Sequence, residues 1–348
     1  MKQKNELPVK YPIITSYPEI ANLFAVIENN DEAYSWIYNN YVNIWAYKDF
    51  IWKPFFYKYF SYDVCPFIDY QKISKDIVLR KWSSFDSFIR EMVDSGYYIT
   101  LYLDQFHITY SSIYQQEHDV HPTLIYGYNT PEGTIKIADF YNGEKYSFLE
   151  ETVLNINNAF TSPCSDTFHL PISNFYRKQY LWTDSVIIFR LRNDVNYSFN
   201  KNLLINLLKE YVEPENMFQK MNVVDSNYFI DECFVWDINT YKYVISYLNK
   251  LLKIPENIPP QLLYIHLDHK KLMIDRLKYL INTNQISNSS IQKNYTYVAE
   301  TLQICINLIV KYNVSKDKAI IQKLIDHVQE IIDIDRTATY LLISELEK

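Results

Sequence analysis

Apolar positions near the start of the chain recur at helical spacing. Ile20, Leu23, Phe24 and Ile27 mark one helix face. Ser16, Pro18 and Glu19 before them form an N-terminal signal: a capping side chain, a proline in the first turn and an acid at the positive helix end. Asp31 and Glu32 open a second helical stretch through Trp36 and Tyr41. Aromatic residues crowd Trp45 to Tyr62, where Pro54 and then Pro66 interrupt any long element. SFDSFIREMVDS (84–95) predicts a helix that Gly96 stops.

The pattern then changes period. YYITLYLDQFHI (97–108) is β-branched and aromatic, as a buried strand requires. HPTLIYGYN (121–129) and TIKIADFY (134–141) predict two further strands around the polar turn TPEG, and NGEK (142–145) predicts a hairpin turn into YSF. LEETVLNINNAF (149–160) predicts a helix with acids at its start, and SVIIFRLR (185–192) a last strand. After Tyr197 the strand signals stop. NKNLLINLLKEYV, TYKYVISYLNKLLK, QLLYIHLDHKKLMIDRLKYLI, YVAETLQICINLIVKY and KAIIQKLIDHVQEIIDI are each amphipathic with a helical period, separated by Pro259–Pro260 and an Asn/Ser cluster at 282–290. The pattern therefore predicts an α+β domain with an antiparallel sheet over 1–198 and an all-helical domain over 199–348.

Composition narrows the functional classes. The 348 residues are 48% hydrophobic and 22% charged, which excludes wholesale disorder. A net charge of −7 argues against general nucleic-acid binding. No apolar run is long enough for a membrane span, and MKQKNELPVKYPII carries no secretory pattern. Cys65, Cys164, Cys233 and Cys305 lie far apart without a CxxC pair, so the expectation is a reduced protein of the cytoplasm with neither disulfides nor structural zinc. The chain has only four glycines, where average usage would give roughly 24, and all fall between Gly96 and Gly143. Tight turns and close backbone approaches should concentrate there.

The same stretch holds the most suggestive chemistry. With so few glycines there is neither GxGxxG nor GxxxxGK, so no nucleotide cofactor is expected. His118 and His121 are three apart, as are His266 and His269, but there is no HExxH and no evident third metal ligand. His266–His269, in HLDHKK, is expected on the exposed polar face of a helix. His121 opens one strand and Asp139 ends the next. If TPEG joins those strands, the side chains lie side by side at one sheet end, as the base and its orienting acid do in a catalytic triad. A surface histidine and a strand-end aspartate, each satisfied by backbone, is the competing structural reading.

Taken together, Asp104, Tyr110 and Tyr114, then His121, Leu124, Ile125, Gly127, Tyr128, Ala138 and Asp139, resemble in order the pattern of the papain-fold "butirosin biosynthesis protein H, N-terminal" and C39-like group. The resemblance covers about 50 residues, and a papain-like domain followed by a helical one resembles that family's layout. It implies acyl chemistry on specialised-metabolite assembly lines: transfer of an aminoacyl or peptidyl group from a carrier-protein thioester to an amine. His121 would be the base and Asp139 its orienter, both facing a cleft between the first helix and the sheet. The family's nucleophilic cysteine, at the N-terminus of the first helix, is absent here. Ser16 stands near that place and is also a natural helix cap. Cys65, in YDVCPFIDY before an expected further helix, keeps the order Cys, His, Asp and is also a natural buried thiol. A non-covalent variant has His121 deprotonate the incoming amine directly. A second reading, from another class, is a pseudoenzyme that binds or scaffolds an acyl chain or carrier protein, with Lys53, Lys58, Arg177 and Lys178 as candidates for a basic patch.

Overall fold

The computed structural model describes residues 2–47, 55–57, 62–141, 145–163, 185–214, 234–288 and 290–348. The chain forms two compact units, 1–33 with 61–196 and 34–60 with 197–348. The main break near 197 is joined by a second feature that a simple cut at 198 omits: residues 34–60 belong with the C-terminal helices.

The first unit is an antiparallel sheet with helices on both faces. Its strands are β1 (Lys4–Glu6), β4 (Ile68–Ser74), β5 (Tyr98–Asp104), β6 (Val120–Asn129), β7 (Thr134–Tyr141), β8 (Lys145–Thr152) and β9 (Ser185–Leu191). They run in the order β4-β9-β5-β6-β7-β8, and β1 pairs with the far end of β6. That last pairing depends on Gly127, where a Cβ would lie 2.8 Å from the Asn5 carbonyl oxygen. On one face, α3 (Lys75–Lys81), α4 (Phe85–Asp94) and α5 (Val153–Thr161) close a core containing Phe88, Leu101, Leu103, Ile125, Ile137 and Phe160. Ser84 caps α4 by accepting from the Ser87 amide at 3.1 Å. Gly96, at φ +81°, ends the helix turn as expected.

The other face carries α1 (Pro18–Ile27). Every residue from Ile20 to Ile27 is buried, including Asn22. The Asn22 amide donates to Pro122 O at 3.2 Å and accepts from the Tyr146 hydroxyl at 2.9 Å, which pins α1 to β6 and β8. The expected cap differs: Tyr17 is the N-cap residue and makes no side-chain cap bond, so Ser16 lies one residue outside the helix.

The second unit comprises α2 (Ala33–Asn40), α6 (Lys201–Val212), α7 (Thr240–Leu251), α8 (Gln261–Asn282), α9 (Ser290–Ser315) and α10 (Lys318–Leu346). It is not all-helical. β2 (Ile44–Tyr47), β3 (Phe55–Tyr57) and β10 (Phe234–Trp236) form a small antiparallel sheet in the order β10-β2-β3. Strands of three or four residues are too short to show a readable alternation. Two other expectations give way in the first unit. The segment after Cys65 is a strand, β4, not a helix; its edge position leaves most of its side chains exposed. LEET (149–152) ends β8, and Thr152 caps α5 by accepting from the Asn155 amide at 3.2 Å. The NGEK turn lies largely outside the described residues.

His266 and His269 are buried, not exposed, at 0% and 1%. The reason is the depth of α8, whose polar residues are also consumed inside the unit. His269 Nε2 lies 2.6 Å from Val42 O, and Arg276 donates to the carbonyls of Tyr38 and Tyr41 at 2.6 and 2.8 Å. These bonds satisfy carbonyls in the last turn of α2 and just beyond it, and tie residues 38–42 into the helical unit. Deeper still, Lys270 and Asp335, both 0% exposed, pair at 2.6 Å, and the Tyr211 hydroxyl donates to the same carboxylate at 2.8 Å.

Candidate active site

Hydrogen-bonding register across β6 and β7 brings His121 to Asp139. Leu124 pairs with Ala138, which puts His121, three residues upstream, beside the end of β7. His121 Nδ1 lies 2.7 Å from each Asp139 carboxylate oxygen. The carboxylate is fully buried while the histidine side chain is 30% exposed. Since a carboxylate accepts, Nδ1 donates the hydrogen, which leaves Nε2 as the nitrogen through which the ring can exchange a proton.

Asp139 is completed by three more donors. The Phe140 amide donates to Oδ1 at 2.7 Å; Thr123 Oγ1 and Gln105 Nε2 donate to Oδ2 at 3.2 and 3.3 Å. A buried charge is tolerable when it is hydrogen-bonded in this way. Burial, with the charge of Asp139 added, holds the Tyr141 and Tyr146 hydroxyls well above the ordinary phenol range, so both stay neutral beside it. The His121 ring meets Phe140 edge-on, 6.3 Å between centroids.

Strand alternation fixes which face holds the carboxylate. Asp139 shares a face with Ile135, Ile137 and Tyr141, which belong to the core beneath α4 and α5. The α1 helix is bonded to the opposite face, through Thr100, Tyr102 and Tyr146. A dyad opening between the first helix and the sheet is therefore not what forms; Asp139 is roofed by Gln105, from the short 3-10 turn Gln105–His107 after β5.

No protein-family model matches this chain, and no curated sequence matches it.

The proposed nucleophiles are not engaged with the dyad. Ser16 Oγ is buried and makes no hydrogen bond among the described residues. Cys65 is 5% exposed, and burial pushes its thiol up to about 12, so it is no thiolate at neutral pH. Cys305 is buried in α9, with its thiol likewise raised to about 12 by burial. Cys164, Cys233 and the basic candidates Lys53, Lys58, Arg177 and Lys178 lie outside the described residues. Among the described residues no cluster of three or more His, Cys, Asp or Glu is placed to hold a metal, and no helix is long and apolar enough to cross a membrane.

Two features were not anticipated. Thr123 and Gln105 serve the dyad; Thr123, two residues from His121 on one strand, shares its face and was legible by alternation. Asp104 and His118 form a second pair at 2.7 Å. That contact spans a loop whose path no periodicity encodes.

Proposed function

We propose that this protein is a papain-like acyl or aminoacyl transferase that passes an acyl group from a carrier-type thioester to an amine, with His121 as general base. The observation that carries the reading is the His121–Asp139 pair: a buried, hydrogen-bonded carboxylate that holds a partly exposed imidazole by its Nδ1. A helix followed by an antiparallel sheet, with histidine on one strand and aspartate on the next, supports the papain-like assignment. The raised Cys65 thiol and the unbonded Ser16 hydroxyl favour the non-covalent variant. There His121 Nε2 takes the amine proton as nitrogen attacks the thioester carbonyl; the carbon–sulfur bond then breaks, the sulfur leaves with its electron pair and takes that proton back, and positioning supplies the remaining rate enhancement.

The full chain is incubated with an acetyl-pantetheine thioester and n-butylamine, and amide formation is followed by mass spectrometry. The expected result is turnover lost in His121→Gln and retained in Ser16→Ala and Cys65→Ala. An acyl adduct on either residue refutes the non-covalent route. The disengaged nucleophiles equally favour a second reading, a pseudoenzyme that binds an acyl chain or carrier protein; binding of the thioester without turnover, indifferent to His121→Gln, selects it.

A further inference from the structure

Of the donors that complete Asp139, Gln105 is the one from outside the strand pair that carries the dyad. Thr123 lies on β6 and Phe140 on β7, whereas Gln105 opens the 3-10 turn Gln105–His107 after β5. The residue is 6% exposed, and its Nε2 lies 3.3 Å from Asp139 Oδ2. A turn of three residues closes few bonds of its own. Here the Ile108 amide donates to Gln105 O at 3.2 Å, and the Gln105 amide leaves the turn to donate to Asp119 O at 2.7 Å. Where the Gln105 side chain points is therefore set by whatever fixes the turn from beneath.

That group is Asp104, the last residue of β5, which is 0% exposed. Its Oδ1 accepts from the Phe106 amide at 3.1 Å and so caps the turn. Its Oδ2 accepts from Ser162 Oγ at 2.5 Å and lies 2.7 Å from His118 Nδ1. The His118 ring in turn lies flat on Phe106, with centroids 4.2 Å apart. The middle residue of the turn is thus held twice, at its amide by the carboxylate and at its ring by the imidazole bonded to that carboxylate.

We infer that Gln105 is a positioning residue for His121, seated over Asp139 by the Asp104–His118 brace; this rests on the base role proposed for His121. Gln105 and Thr123 draw on Oδ2 as the Phe140 amide draws on Oδ1, which keeps both oxygens 2.7 Å from His121 Nδ1. Around the dyad Tyr141 and Tyr146 stay neutral, and the Glu151 carboxylate is taken up by Thr109 and the Thr152 amide. The charge that Gln105 tempers is therefore that of Asp139. Without this donor the carboxylate gives more of its charge to the imidazole, and Nε2 holds its proton more tightly. A base that is already protonated cannot take a proton from the amine.

Nitrogen-15 imidazole NMR of the full chain follows the His121 titration in wild type, Gln105→Met, Asp104→Asn and the double variant. Gln105→Met keeps the length of the side chain and removes its donor, and the midpoint should rise by at least about 0.5 pH unit. Loss of the Asp104 charge acts alike with or without Gln105, whereas loss of the seat matters only where Gln105 is present. The Asp104→Asn shift should therefore be more upward, by at least about 0.3 pH unit, in wild type than in Gln105→Met. Equal shifts in the two backgrounds overturn the brace, and an unmoved or lowered midpoint in Gln105→Met overturns the positioning role. Thermal melting of each variant confirms folding, and Gln105→Leu, which lacks the same donor, must shift the midpoint as Gln105→Met does. The titration needs no substrate, so the two readings fail separately. A raised midpoint in a protein that forms no amide overturns the transferase and leaves the coupling of Gln105 to His121 standing; an unmoved midpoint in an active enzyme overturns the positioning role alone.

Discussion

Replacing Asp139 by asparagine should exchange the tautomer of His121 without unfolding the sheet. Four donors converge on the carboxylate: His121 Nδ1, Gln105 Nε2, Thr123 Oγ1 and the Phe140 amide. Asparagine keeps one acceptor oxygen, which the Phe140 amide must retain because a backbone group cannot turn. Its NH2 then takes the Oδ2 position, faces Gln105 and Thr123, and crowds the Nδ1 hydrogen of His121, which lies 2.7 Å from both oxygen positions. Gln105 can rotate its amide, Thr123 can turn its hydroxyl to accept, and His121 can move its hydrogen to Nε2. Each charge-assisted bond weakens to a neutral one, a loss of about 1 kcal/mol apiece. Sparing the unit a buried charge offsets several kcal/mol, so the net cost should stay within about 2 kcal/mol, or roughly 4–8 °C in a unit of this size. Asp139→Ala differs in kind. It leaves four donors facing nothing, at about 1–3 kcal/mol each, and should cost at least about 4 kcal/mol. Nitrogen-15 imidazole NMR reads the tautomer directly, with His121 bearing its hydrogen on Nδ1 in wild type and on Nε2 in Asp139→Asn. Turnover should fall by about 10⁴ with the wrong tautomer, the size of the effect when the same exchange is made in a serine-protease triad. An Asp139→Asn protein that keeps the Nδ1–H form, or melts as low as Asp139→Ala, would refute the argument.

Two further outcomes concern the helical unit. Burial, reinforced by the charge of Lys270, lowers His266 to about 3 from its ordinary 6.5 and His269 well below its own. The unfolded chain therefore binds protons below pH 6.5 that the folded unit refuses until about pH 3, and stability present above 6.5 is lost across that window. Urea titrations should show about 1.4 kcal/mol less dependence per pH unit in His266→Phe than in wild type; identical slopes would show that His266 does not resist protonation. Asp335→Leu should cost about 3–5 kcal/mol by leaving the Lys270 ammonium buried without its counter-ion, and Lys270→Met in the same chain should restore most of it. Chemical denaturation in which the single and double variants match would sink that account.

What the sequence determined by itself is whatever short-range physics encodes. The helices from Lys201 onward follow from their 3.6-residue period, β5 to β7 from β-branched and aromatic runs, and the turns at Gly96 and Gly133 from glycine's access to positive φ. The hairpin made His121 and Asp139 neighbours, and strand register carried that expectation through. Tertiary structure decided the rest. Ser16 yields the cap to Tyr17 because the helix starts at Pro18. HLDHKK looks like a polar helix face, yet partners far away in sequence, Val42 and Asp335 among them, satisfy its polar atoms and allow His269 and Lys270 to be buried. In the small sheet of the second unit, β10 joins β2 by pairing segments nearly 200 residues apart. The same rule governs the site: which face of the sheet holds Asp139, and whether His118 meets Asp104, depend on contacts made only once the chain has folded, because a side chain's polarity fixes its need for a partner and not the partner's identity.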